Sequence, residues 1–374
     1  MLLIHAKYLD EDFNLVQGDI EIQDGKILRV GKDLPRKEED LAVDCGGEYT
    51  VVPGFVDVHI HGCGGADTCD GTREALETMS RFLLNHGVTS FCPTTMTTGQ
   101  EVIEQALLAA KDLMDAPIED GARVVGVNME GPFISKERKG AQKEEDILAP
   151  DMELFRHFWE LSGGIVRLVD IAPEQPGGYQ FAREASKLCT VSIAHTTADY
   201  DKAKAAFDCG ITHATHLFNA MSGLNHRAPG VVGAVLEDQR VRGELICDGF
   251  HIHPSVLRTA FRVLEDRALV VSDSMRANGM PEGDRFDLGG QFVTVRDGKA
   301  TLDDGTIAGS VTNLHQEVKN LVSFGVPFPQ AVKAATLIPA KAIGMDQEIG
   351  SIVPGKRADL VVLDENLDIV AVYH

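Results

Sequence analysis

A (β/α)8 barrel of the TIM type, carrying a small β-sandwich domain built from both chain ends, is the fold this sequence predicts. Three observations lead there. Continuous apolar runs of strand length alternate with amphipathic helical segments through the middle of the chain, as a parallel sheet covered on its outer face requires. Polar residues of ligand type stand where those runs stop, as they do at the carboxyl ends of barrel strands. Both ends of the chain instead show short alternating strands without helices. With 374 residues, of which 44 % are apolar, the chain exceeds the single-core range of about 250 to 300 residues, so a large unit plus a smaller one is expected.

The elements follow in order. LLIHAKYLD and GDIEIQDGKILRVG read as strands, with Asp24-Gly25 the two-residue hairpin signal between alternating runs. VVPGFVDVHIHG opens the barrel. Thr72 caps REALETMSRFLLNH, whose Leu76, Met79 and Leu83 share a face, Gly87 ends it, and VTSFCPTT is the next strand. EVIEQALLAAKDLM is amphipathic through Ile103, Leu107, Ala110 and Met114 and precedes ARVVGVNMEG. VRLVDIAP, TVSIAH, ITHATHLF, GELICD and ALVVSD supply further buried-type strands, with the helix ADYDKAKAAFDC ending at Gly210 before ITHATHLF. The closing IGSIVPGKRADLVVLDENLDIVAVY is again β, broken at Pro354-Gly355 and at Asp364-Glu365-Asn366. The expected division is 1–52 with 346–374 for the β-domain and 53–345 for the barrel. An open doubly wound sheet is the competing fold, but HGCGGAD after His61 lacks the G-x-G-x-x-G spacing of its phosphate loop.

Charge narrows the partners. Lysine and arginine total 35 against 57 acidic residues, a net charge of −22, which argues against nucleic acid and anionic membrane. An anionic substrate would need positive charge supplied locally. The seven cysteines, Cys45, Cys63, Cys69, Cys92, Cys189, Cys209 and Cys247, contain no CxxC pair and suit reduced thiols in a cytoplasmic protein. Neither an export signal nor an uninterrupted apolar run of membrane-spanning length is read from the sequence.

The chemistry starts from His59 and His61. At i and i+2 on a strand they face the same side, roughly 7 Å apart, and their rings can converge on one ion. Glu130 after VVGVNM, His195 after TVSIA, His216 after ITHAT and Asp273 after ALVVS occupy equivalent strand ends. His213 and His216 are an odd number of residues apart, so alternation sends His216 to the lumen and packs His213 against a helix. Any one of these groups has an ordinary structural explanation. Six together in one lumen are costly to bury unless an ion satisfies them. Imidazole and carboxylate without a thiolate cluster suit zinc, iron, manganese or cobalt and disfavour calcium or a closed structural zinc. Glu130, His195 and His216 can hold one ion with a position open to water; His59, His61 and Asp273 can hold a second, with Glu130 bridging.

In this order VPGFVDVHIHG, MEGPF, AH, THLFNAM, CDGFHIH and SDSM, together with the DGKI hairpin and the GxxADLVVLD segment, resemble the amidohydrolase superfamily over essentially the whole chain. MEGPF, HLFNAM and DGFHxH are similar to the branch that deacetylates N-acetylated amino-sugar phosphates. That resemblance implies that Glu130, His195 and His216 hold the catalytic metal, with Asp273 as general base and then general acid. It also places sugar-phosphate contacts at Asn219, Ala220, Arg227 and His251, the last two reaching across a homodimer interface. In RKGAQ, Ala141 and Gln142 lie near the substrate, Gln142 standing where other members have a histidine that contacts a sugar hydroxyl. Ile307 and Ala308 of DGTIAGS match the segment against the substrate. Because His59 and His61 are retained, the resemblance allows one metal or two. The implied reaction is hydrolysis of the acetamide of N-acetyl-D-glucosamine 6-phosphate to D-glucosamine 6-phosphate and acetate, in amino-sugar catabolism. The alternatives are the galactosamine epimer, another N-acyl substrate, and a non-catalytic sugar-phosphate-binding protein. Members that hydrolyse cyclic amides bridge two metals through a carboxylated lysine, and no lysine stands at a comparable strand end here.

Overall fold

The computed structural model describes residues 1–36, 41–288 and 291–374. Eight strand positions form a parallel barrel: Phe55–Ile60, Val88–Thr95, a third interrupted as Arg123–Val124 and Val127–Met129, Val166–Ile171, Thr190–Ile193, Ile211–Ala214, Arg242–Leu245 and Ala268–Val270. Each pairs in parallel with the next. The ring is drawn shut just beyond the last strand, where Asp273 N donates to His59 O at 2.9 Å and His61 N donates to Ser274 O at 2.9 Å. This closure sets the backbone of residue 273 beside that of residues 59–61.

A helix follows each strand: Arg73–Asn85, Gln100–Asp115, Met152–Leu161, Gly178–Ala185, Tyr200–Phe207, Gly230–Glu237, Pro254–Leu264 and Leu314–Ser323. Thr72 caps the first, its hydroxyl accepting from Ala75 N at 3.2 Å, and Leu76, Met79 and Leu83 are buried against the barrel. The lumen is divided along its length. Its lower part is apolar, with Val56, Val58, Cys92, Leu168, Ile246 and Leu269 closed from below by Ile338 and Ala340 of the helix Leu337–Ala342. Fully burying a side chain of the valine or leucine type contributes roughly 1.5–3 kcal/mol, so this floor is a rigid base. The polar groups are left to the upper rim.

Both chain ends meet in one mixed sheet. Leu360–Leu363 lies antiparallel to Thr50–Pro53, which continues through Leu2–Leu9 and Leu15–Gln23 to Lys26–Gly31. Its core joins Leu3, Ala6, Ile20 and Val51 to Leu360 and Val362. At the expected hairpin Asp24 and Gly25 have φ of 52° and 70°, the left-handed pair that a type I′ turn requires.

One element was not anticipated. Arg285–Leu288, Gln291–Arg296 and Lys299–Thr301 form a three-stranded antiparallel sheet between the eighth strand and its helix. Leu288, Val293, Val295 and Ala300 pack on Met96, Met275 and Ala308, so the sheet sits over the barrel mouth. The signal was present: FVTVR alternates and Asp297-Gly298 is a second turn dipeptide, with φ of 53° and 71°. All seven cysteines are free, and among the described residues no helix is long and apolar enough to cross a membrane.

Candidate metal centre

The six strand-end groups predicted from the sequence come together at the carboxyl rim. Glu130 is the hub: Oε1 lies 3.0 Å from Nε2 of both His195 and His216, and Oε2 lies 3.2 Å from His61 Nε2. The facing imidazole nitrogens are 3.1 Å apart for His195 and His216 and 3.3 Å apart for His59 and His61. Asp273 Oδ1 is 3.3 Å from His61 Nε2 and 3.5 Å from His59 Nε2. All six residues are buried.

Backbone shape explains the convergence. His195, His216 and Asp273 have φ of 41°, 31° and 45°, a left-handed conformation that non-glycine residues seldom take outside sites that require it. Each lies two or three residues past its strand, in a bend that turns the side chain into the mouth. This bend also corrects the expectation for His213. Its ring is fully buried in the lumen, with Nε2 2.9 Å from Glu244 Oε1. The strand ends at Ala214, so alternation no longer relates His213 to His216, and both side chains reach the interior.

The protonation pattern tests the fit to a cation. His61 Nδ1 lies 3.2 Å from Thr94 O and His195 Nδ1 lies 2.8 Å from Arg138 O. A carbonyl oxygen only accepts, so both Nδ1 atoms carry a proton, and in the neutral ring that ligation requires both Nε2 atoms present lone pairs. His59 Nδ1 is similarly held by Glu244 Oε2 at 2.9 Å. Neutral rings in these tautomers aim lone pairs at one another and at carboxylate oxygens, an arrangement that is repulsive until a positive charge lies among them. The potential is strongly negative. Although burial works against it, Asp273 and Glu130 raise the pKa of His61 to about 10. His59 is likewise raised well above the ordinary value, Asp273 and Glu244 outweighing burial. Burial pushes Glu130 and Asp273 upward, but the surrounding imidazoles prevail and hold both carboxyls below the usual range. The nitrogen and oxygen donors of His59, His61 and Glu130, and of Glu130, His195 and His216, form two groups able to hold a metal ion. Without a thiolate among them, they suit zinc, iron, manganese or cobalt.

A cavity of about 350 Å³ opens above the cluster. His61, Glu130, His195, His216 and Asp273 form its floor, while Ala141, Gln142, Asn219, Ala220, His251 and Ile307 contribute to its walls. His59 lies beneath, fully buried. His251 Nδ1 is held by Asp248 Oδ2 at 2.7 Å, which leaves Nε2 for a ligand. Leu288 and Thr306 were not foreseen in this wall.

The surroundings of three further predicted contact residues are distinctive. Arg227 is exposed on the Asn225–Ala228 turn and does not line the cavity of its own chain. Ala308 is buried under the rim, its N donating to Ala300 O at 3.0 Å. Gln142 has both ends of its amide engaged: Oε1 accepts from Thr97 N at 2.7 Å and Nε2 donates to Glu130 Oε2. Sequence reasoning also passed over Glu244 and Asp170, both fully buried. An acidic residue inside each of the apolar runs RGELIC and RLVDI was the available signal, because such residues are rarely buried without a partner or a purpose.

The comparisons with known proteins agree with this geometry. A model described as the Amidohydrolase family matches residues 50–373. The N-acetylglucosamine-6-phosphate deacetylase of Bacillus subtilis (strain 168) is 35 % identical, over 99 % of this chain and 94 % of that protein. The N-acetylgalactosamine-6-phosphate deacetylase of Escherichia coli O157:H7 is 33 % identical, over 98 % of this chain and 96 % of the other. Among solved structures, the N-acetylglucosamine-6-phosphate deacetylase of Pasteurella multocida superposes with a TM-score of 0.93 at 30 % identity, covering 100 % of this chain and 97 % of that one.

Proposed function

The chain belongs to the amidohydrolase family, and from that premise we propose that it hydrolyses the acetamide of N-acetyl-D-glucosamine 6-phosphate to D-glucosamine 6-phosphate and acetate. The convergence of four imidazoles and two carboxylates under a cavity of about 350 Å³ carries this reading. The barrel, 53–345, is the catalytic unit, and 1–52 with 346–374 form the β-domain beside it.

Glu130, His195 and His216 would hold a divalent ion, and His59 and His61, with Asp273 and a shared Glu130, offer donors for a second, so that one or two ions would be bound. Such an ion polarises the acetamide oxygen and lowers the pKa of water. The chain's residues supply the rest. Asp273, ionised because its neighbours keep its pKa low, takes the proton of the attacking water at its carboxylate. It returns that proton to the nitrogen as the C–N bond breaks, since an unprotonated amine leaves poorly. Burial around the cluster excludes bulk water and strengthens each of these interactions.

Asn219 and Ala220 line the wall where the sugar phosphate rests, Ala141 and Ile307 shape the remainder, and Ala308 is buried behind them; His251, expected to reach a neighbouring subunit's site, lines the cavity of its own chain. Arg227, exposed on its turn, reaches the phosphate in the pocket of a second copy, so the working unit is a homodimer. Free thiols and a role in amino-sugar catabolism favour a cytoplasmic location.

The galactosamine epimer is the second reading. It is favoured by the E. coli relative at 33 % identity and by the engagement of both ends of the Gln142 amide, which reduces its freedom to select a hydroxyl. Steady-state kinetics on both epimers, each with and without the 6-phosphate, separates these readings. The phosphorylated glucosamine derivative is expected to lead, with kcat/KM about 100-fold or more above its unphosphorylated counterpart. Equal turnover with and without phosphate removes the assignment of His251 and Arg227, and a lead by the galactosamine derivative makes the second reading the correct one.

A further inference from the structure

One wall of the cavity has no part in the mechanism above. Met96 and Leu288 both line it, yet they are only 3 % and 2 % exposed. They belong to one apolar cluster with Met275, Val293, Val295 and Ala308, so each side chain is held from behind and presents a small face to the cavity.

Their place in the ring gives this wall its direction. Met96 directly follows the second strand, Val88–Thr95, whereas Asn219 and Ala220 come after the sixth, Ile211–Ala214, and in a ring of eight these positions are opposite. Its chain neighbours tie Met96 to the cluster of ligands: Thr94 O accepts from His61 Nδ1 at 3.2 Å, and Thr97 N donates to Gln142 Oε1 at 2.7 Å. Leu288 comes from the sheet over the mouth. It ends the strand Arg285–Leu288 and pairs with Gln291, whose side-chain amide donates to Ala141 O. The cavity is therefore polar toward Asn219 and His251 and apolar toward Met96 and Leu288, with the ion-holding floor between.

An N-acetylated amino-sugar phosphate divides in the same way. Its hydroxyls and phosphate lie on one side of the amide and a single methyl on the other, so with the amide over the floor and the sugar against Asn219 and His251, the methyl faces the apolar wall. We propose that Met96 and Leu288 form the acyl subsite and limit the N-acyl group to two carbons. A close-packed wall resists the retreat that another methylene would demand. This inference rests on the amino-sugar reading above and adds to it the part of the substrate that departs as the carboxylic acid.

Steady-state kinetics of the metal-loaded, full-length protein on the N-formyl, N-acetyl, N-propionyl and N-butyryl derivatives of glucosamine 6-phosphate tests it. In wild type kcat/KM is expected to fall about 10- to 200-fold from acetyl to propionyl, and further with butyryl. Met96→Ala and Leu288→Ala are each expected to shrink the acetyl-to-propionyl ratio about tenfold, and Leu288→Phe to move preference toward formyl by a similar factor. Val295→Ala loosens the same sheet without facing the cavity and is expected to keep the wild-type ratio within about threefold. Circular dichroism reports folding, and the phenylalanine variant decides the matter should an alanine variant not fold. Equal turnover of acetyl and butyryl substrates by wild type overturns the proposal. So does a wild-type ratio in either folded alanine variant, an unmoved formyl preference in folded Leu288→Phe, or a broadening by Val295→Ala as large as that by Leu288→Ala, which marks a loosened sheet and not a selecting wall. A wild type that turns over none of the four defeats the amino-sugar reading itself.

Discussion

Glu130→Gln is expected to lower kcat by about 1,000-fold or more, equivalent to about 4 kcal/mol in the barrier, and to empty the centre of metal. The side chain serves both halves, Oε1 lying 3.0 Å from the Nε2 atoms of His195 and His216 and Oε2 lying 3.2 Å from that of His61. An amide removes the charge and substitutes N–H for one of the oxygens facing those lone pairs. Incubation with a strong chelator should produce the same loss in the unaltered protein, reversed by adding back a divalent ion. Steady-state rates taken together with elemental analysis of the same samples check both. A glutamine variant that loses its metal and keeps its rate shows that catalysis does not depend on the ion.

Asp273→Asn should be nearly as severe and differently informative. A positioned proton-transfer group contributes typically about 100- to 10,000-fold to the rate, and the upper part of that range is expected for a group assigned two successive transfers. The fold should be indifferent. The barrel-closing bond from Asp273 N to His59 O and the bond from Ser310 N to Asp273 O both involve the main chain. Asparagine also tolerates the left-handed backbone at φ 45° better than most residues, so it isolates chemistry from strain. Retained metal with lost turnover supports the proton-transfer role. Undiminished turnover with unchanged metal removes that role from Asp273.

The sequence disclosed the barrel because period and burial are local properties. Each buried strand is a continuous apolar run, and the ligand at its end interrupts that run. The six strand-end groups were legible for this reason, and the structure brings all six together. His213 was misread where a periodic rule met an aperiodic feature. Alternation holds along a strand, but Ile211–Ala214 ends before His216, whose φ of 31° turns it back toward the lumen. Glu244 was hidden by its surroundings: one acid in RGELIC looks incidental until folding sets it between His59 and His213. The small sheet of Arg285–Leu288, Gln291–Arg296 and Lys299–Thr301 has a turn dipeptide like Asp24-Gly25, but its short, partly exposed strands interrupt the regular strand-helix order and give only a weak periodic signal. Arg227 shows a different limit. Its location on an exposed turn is visible in a single chain, whereas any contact made across an interface depends on a second.

The most direct measurement is an anomalous-difference map from crystals of the protein grown with zinc and recorded on both sides of the zinc absorption edge. The account predicts a peak among Glu130, His195 and His216 and allows a second among His59, His61 and Glu130. An active, zinc-saturated protein whose map shows no peak in either place would contradict it.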